Sequence, residues 1–260
     1  MGKRRFVFVD NHDPGALYEL SLDADGMQAE PIRRRPLAGL ADGQLGDPEG
    51  LARVDLGNDT YLVVVSSLSV RSGRMVNDGL VRVRYTPAAE LHAEAMDGFR
   101  AWLLDRVPDL AAERKPDDGG LNVEGVAWDS RARALVLGLR SPAQSGSVTV
   151  IRIAVDGDDW TTASLQAPTI VRIRVPGNPG TPGVRDLCHT ERDGFLILLG
   201  RSISGGDEPF SLCTWDGEAD EVEPMDVVFH KGAKPEGVTT FDEKILLVDD
   251  GGGFAVLDRA

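Results

Sequence analysis

Two cysteines, Cys188 and Cys213, are all that the 260 residues contain. That is too few for a disulfide framework, so the two thiols are expected to be free and half-buried in a reducing compartment. Aromatic residues make up only 6% of the chain. Basic residues are also scarce, 28 against 42 acidic ones, for a formal net charge of −14. Such a field repels nucleic acid and anionic membrane surfaces, so neither is expected as a partner. Long apolar runs are missing too. The best of them, YLVVV and FLILL, fall far short of the roughly 20 residues a membrane-spanning helix needs. The N-terminal MGKRRFVFVDNHD has a basic cluster but no apolar core of signal-peptide length, and Phe6 stands where myristoylation wants Ser or Thr. As written, the chain reads as cytoplasmic, with secretion open if a segment precedes it. There is no GxSxG, P-loop, CxxC or HExxH, so no organic cofactor is expected. His12, His92, His189 and His230 are scattered without metal-ligand spacing. His189, three residues past Asp186 on the same strand, is expected to face away from whatever Asp186 faces.

What is present is a hydrophobic content of 42% and many short apolar or alternating runs separated by turn residues, the pattern of an all-β domain. Three of these runs open alike: DPEGLARV at 47–54, LNVEGVAWD at 121–129 and KPEGVTTF at 234–241. In a fourth, VRDL at 184–187, Asp186 replaces the Glu. Each is followed at similar distance by a second apolar run. Four short strands to a unit, recurring every 50–75 or so residues, indicate a β-propeller of about five blades. A β-sandwich is the runner-up, but it does not require one motif at the start of every unit.

The first unit is incomplete. RFVFVDN at 5–11 matches the second-strand position of the last unit, ILLVDDG, so a leading strand is expected to be missing there. One stretch breaks the β pattern. Pro87 suits a first helical position, and Leu91, Ala95, Phe99, Trp102 and Leu103 share a helical face, which predicts an inserted α-helix over about 87–106. The run Arg33-Arg34-Arg35 reads as a solvated strand or loop. The whole of 1–260 is read as a single propeller domain, either lacking a native N-terminal strand or forming an open or minimally closed five-blade ring.

The motifs DPEGLARV, VVVSSLSVRSGR, LNVEGVAWD with LGLRSP, GVRDL with LLGRS, and KPEGV with LLVDDGG together resemble the bacterial DUF3616 proteins, which look like phytase-like propellers. The resemblance covers about Phe6 to Gly252. It implies the propeller fold and a strand ahead of the first unit. It implies no assigned activity. The second unit departs from the family's Ser-His with Ser66-Ser67-Leu68.

Propeller geometry converts the repeat into a site. The first strand of each blade lines the channel, and the antiparallel second strand ends where the first begins. Glu49, Glu124, Asp186 and Glu236 are therefore expected around one channel mouth, as candidate ligands of Ca²⁺ or Mg²⁺. Ser67, Arg140, Ser141, Arg201 and Asp250, at second-strand ends, are expected to surround them and bind substrate. Crowded carboxylates can instead be neutralised by arginine, with Arg140 and Arg201 as the candidates. Two functions follow. One is a metal-assisted hydrolase of a small anionic ester or lactone. The other is a non-catalytic propeller that binds a ligand or protein at the same mouth.

Overall fold

A computed structural model describes residues 4–71, 75–110, 113–206 and 208–259. The stretch Ser72-Gly73-Arg74 of the second-unit motif and the residues before Arg4 lie outside the described residues.

The first blade is a meander of β1 (Arg4–Phe8), β2 (Ala16–Leu22) and β3 (Arg33–Ala38). The second begins with β4 (Pro48–Leu56) and β5 (Asp59–Ser66), extrudes a small hairpin of β6 (Val70–Arg71) and β7 (Met75–Val76), and continues with β8 (Leu80–Arg84) and β9 (Leu91–Ala95). After α1 (Phe99–Arg106) come two complete antiparallel blades. These are β10 (Asn122–Asp129), β11 (Ala134–Gln144), β12 (Ser147–Ala154) and β13 (Thr169–Arg174), then β14 (Pro182–Thr190), β15 (Gly194–Arg201), β16 (Ser211–Trp215) and β17 (Glu223–Pro224). The last blade has three strands, β18 (Pro235–Phe241), β19 (Lys244–Asp249) and β20 (Phe254–Asp258). The protein is thus all-β and propeller-like, with one α-helix among the described residues.

Apolar clusters fill every seam between neighbouring blades, which is what makes the arrangement a ring. Leu17 and Leu91 belong to the first seam, Val65 and Val123 to the second, Val136 and Val184 to the third, and Leu198 and Val238 to the fourth. The closing seam, between the last blade and the first, is thin. Leu20, Leu22 and Leu246 are its buried residues, flanked by half-buried Phe6, Phe8, Phe241, Phe254 and Val256. Cys188 and Cys213 are both free thiols. Burial pushes them up to about 12 and about 11, so both stay protonated and inert.

The repeat glycines explain how four inner strands approach so closely. A Cβ on Gly50 would lie 2.7 Å from the amide nitrogen of Val126 in the next blade, and one on Gly125 would lie 2.9 Å from that of Leu187. Only a residue without a side chain permits backbone to meet backbone there.

Two expectations need correction. The helix occupies only the second half of 87–106. Leu91–Ala95 is a strand, bonded antiparallel to β8 and, at Leu91 and Ala93's neighbour His92, parallel to Leu37 and Ala38 of β3. Its burial alternates residue by residue, the period of a strand; Leu91 and Ala95 lie four apart and satisfy both periods. The helix starts after Gly98, at φ 74°, and packs Phe99, Trp102 and Leu103 into the seam of the second and third blades. The arginine run is not simply solvated either. Arg35 is 1% exposed and ion-pairs with buried Glu19, which also accepts from the Tyr85 hydroxyl at 2.7 Å. Arg35 Nη2 donates to Thr86 O at 2.8 Å, tying the first blade to the second.

Candidate functional site: a guanidinium–carboxylate ring in the channel

The inner strands are adjacent in the order β4, β10, β14, β18. Glu49, Glu124 and Glu236 lie within the first three positions of their strands and Asp186 at the middle of β14, and all four line one cavity of about 1210 Å³. The sequence repeat therefore brings its four acids together, as the strand geometry requires.

A residue not singled out from the sequence organises them. Arg185 precedes Asp186 in β14 and is 7% exposed. Its Nη2 donates to Glu236 Oε1 on the blade that follows. Its Nη1 lies 2.8 Å from Glu124 Oε2 on the blade before, an ion pair out of line for a hydrogen bond. Glu124 is 3% exposed and accepts twice more on Oε1, from Arg140 Nη1 at 2.8 Å and from Asn122 Nδ2 at 3.0 Å. Two guanidinium groups thus flank this buried carboxylate.

The other acids are less compensated. Asp186 Oδ2 accepts from the Val238 amide at 2.8 Å, linking the fourth blade to the fifth, while Oδ1 is buried with no partner. Burial pushes the Asp186 carboxyl up to about 8, with Glu124 adding to the rise and the Val238 and Leu187 amides opposing it. At neutral pH it therefore holds a proton. Burial, and then the charges of Glu124, Asp47 and Glu236, also raise Glu49 well above the carboxylate range. Glu49 forms no hydrogen bond or salt bridge with the described residues. Glu236 is raised too, by burial foremost, with Arg185 opposing.

The second-strand ends divide. Asp250 lines the cavity, as do Asp10 and Asp249. Ser67, Arg140, Ser141 and Arg201 do not line it. Ser67 is buried in a network with Ser69 (Oγ to Oγ 2.9 Å) and Asn77 (3.2 Å), and its carbonyl accepts from the Val123 amide at 2.8 Å across a blade seam. Ser141 Oγ donates to Gly120 O at 2.5 Å. The Ser67 carbonyl thus ties the second blade to the third, while the two serine hydroxyls serve contacts within their own units. Arg140 serves Glu124, and the Arg201 side chain makes no hydrogen bond or ion pair with the described residues. His189 is also displaced from expectation: it lines part of the cavity, 4.0 Å from Asp129 Oδ1, and burial lowers its pKa.

The residues fit a resident divalent ion poorly. Ca²⁺ wants six or more oxygen ligands and Mg²⁺ an octahedron of them. Here Glu124 and Glu236 already face guanidinium groups, and one oxygen of Asp186 holds an amide. Among the described residues, no group of three or more His, Cys, Asp or Glu is arranged to hold a metal. Nor is any helix among them long and apolar enough to cross a membrane.

Fold and site together define a propeller-like all-β protein whose channel cavity is lined by four acids, two of them paired with guanidinium groups. The model of the family described as "Protein of unknown function (DUF3616)" matches residues 110–242, just over half of the chain. The chain belongs to that family. No curated protein matches it. A solved structure similar to it is that of the computationally designed Ika8 protein, in a P63 crystal packing. That protein is 10% identical, with a TM-score of 0.33 over 96% of this chain and 81% of the other.

Proposed function

We propose that this chain is a non-catalytic binding propeller that receives a ligand or protein partner in its channel cavity. One observation carries the reading: Arg185 and Arg140 are paired with Glu124 and Glu236, two of the four carboxylates that a metal-assisted reaction needs. The cavity exceeds the roughly 300–1,000 Å³ usual for small-molecule sites. Its wall pairs half-buried apolar side chains (Phe6, Phe8, Phe254) with acidic ones (Asp10, Glu49, Asp249, Asp250). A partner offering a cationic group beside an apolar surface fits this wall better than a small anion. The arginines that would have gripped an anion, Arg140 and Arg201, are not on it.

The hydrolase reading keeps one observation in its favour. Glu49 and Asp186 share a cavity wall and are both raised toward neutrality, as general acid–base groups are. Thermal melts with Ca²⁺ and Mg²⁺, beside assays on a phosphoester and a lactone, separate the two readings. The binding reading expects no rise in melting temperature beyond that in matched NaCl, and no turnover. A rise specific to either ion, with turnover abolished in Glu49→Gln, would replace it with the hydrolase.

A further inference from the structure

The register of the inner strands shows which side chains share one level of the channel. In β4, Pro48 pairs with Ser66 and Gly50 with Val65, so Glu49 between them is an extra residue bulged out of the ladder. Glu124 is bulged in the same way between Val123 and Gly125, and Glu236 between Pro235 and Gly237. In β14 the shift falls between Val184, paired with Leu199, and Asp186, paired with Leu198. The bulged residue there is Arg185, and Asp186 takes the place of the glycine. The seams agree. A Cβ on Gly50 would lie 2.7 Å from the amide nitrogen of Val126, the residue after Gly125. One on Gly125 would lie 2.9 Å from that of Leu187, the residue after Asp186. Asp186 has a side chain at this position, and its Oδ2 accepts from the amide of Val238, the residue after Gly237. Arg185, rather than Asp186, therefore stands at the level of the three glutamates.

We propose that Arg185 is a resident cation: it replaces one acid of a ring that with four glutamates would take a divalent ion, and it supplies the positive charge such an ion would bring. Four bulged glutamates would present the crowded carboxylate oxygens that Ca²⁺ binds. Arginine at one position reverses the charge there. Its Nη1 lies 2.8 Å from Glu124 Oε2 on one side, and its Nη2 donates to Glu236 Oε1 on the other. Glu49, the remaining bulged acid, also feels this charge, which opposes the rise in its pKa. Asp186 completes the exchange. Through the Val238 amide it ties β18 to β14, two residues from the Glu236 that Arg185 holds. This role holds whatever the cavity receives, and it makes Arg185-Asp186 the determinant of which cation the ring carries.

The test restores the motif. Arg185→Glu with Asp186→Gly gives the fourth blade the Glu-Gly of the others. The melting temperature of this double variant is expected to rise saturably with Ca²⁺ or Mg²⁺, beyond matched NaCl, with a midpoint below about 1 mM, and to fall back on adding EDTA. The parent is expected to show no such rise. A folded double variant indifferent to both ions overturns the resident cation and leaves the binding reading in place. An ion-specific rise in the parent overturns it as well, and if turnover accompanies the rise the binding reading goes with it. Arg185→Ala decides the case in which the double variant does not fold at any ion concentration. Ethylguanidinium, which restores the missing part of the side chain, should raise the melting temperature of Arg185→Ala at about 10 mM, more than ethylammonium does, and leave the parent unchanged. Equal responses of parent and Arg185→Ala to ethylguanidinium overturn the proposal.

Discussion

Asp186→Asn should make the protein more stable, and by an amount that grows with pH. The carboxyl is held at about 8 because it is buried, with Oδ1 lacking any partner. In the unfolded chain it titrates near 3.9. Between those values the folded state binds a proton that the unfolded state has released. Stability therefore falls as pH rises through the window, by at most about 1.36 kcal/mol per pH unit, and the penalty is complete above the folded pKa. Below about pH 4 both states are protonated and the penalty is absent. Asparagine cannot ionise, and its carbonyl oxygen keeps the 2.8 Å bond from the Val238 amide. From pH 5 to pH 8 the ceiling on the difference between variant and parent is about 4 kcal/mol. Water reaching a half-buried side chain reduces this, and we expect on the order of 2 kcal/mol. For a chain of this size that is a melting-temperature gap of roughly 4–8 °C opening across the range. Urea denaturation of both proteins at pH 5, 6, 7 and 8 measures it. Glu49 and Glu236 also titrate anomalously, but they are common to both proteins and cancel in the difference. Stability curves that run parallel from pH 5 to 8 would refute a protonated Asp186.

Three further outcomes are expected. Gly125→Ala should destabilise by about 1–3 kcal/mol in thermal or urea unfolding, because the new methyl meets the backbone of the next blade, 2.9 Å away at Leu187 N. Gly57→Ala, in a turn with open space but φ +60°, should cost no more than about 1 kcal/mol. Arg35→Ala should cost about 3–5 kcal/mol by removing the buried partner of Glu19 and leaving it the more distant Arg5 and Arg33, whereas Arg53→Ala, losing an exposed partner in Asp55, should stay within about 0.5 kcal/mol; equal effects in the two would contradict the burial difference.

The architecture was legible in the sequence because its two hardest constraints leave marks. Inner strands pack backbone to backbone, which requires Gly50 and Gly125, and the acid before each glycine ends up at the mouth because all inner strands run the same way. The clamp was not legible by the same means. The residues preceding the four acids are Pro48, Val123, Arg185 and Pro235, so a search for what the units share passes over Arg185. The signal was in the exception: a single cation at ring level in an acidic chain. Arg140 was legible as a partner for a carboxylate, and Arg201, at the matching strand end, was not distinguishable from it without coordinates. Leu91 and Ala95 misled because a spacing of four is common to helix and strand, and only the exposed His92 and Glu94 between buried neighbours decide it. Arg35 was hidden in a run of three, of which it alone is buried and Arg33 and Arg34 are exposed.

The guanidinium clamp itself is tested most directly by a double-mutant cycle in urea, pairing Arg185→Met with Glu124→Gln. Arg185→Met alone leaves Glu236 without its cation and Glu124 with Arg140 only, and a loss of about 3–5 kcal/mol is expected. If Arg185 holds the ring, the two substitutions are strongly non-additive, with a coupling energy of about 1.5–3 kcal/mol. Additivity within about 0.5 kcal/mol would show that the two groups do not depend on each other, and the channel would not be closed by paired charge.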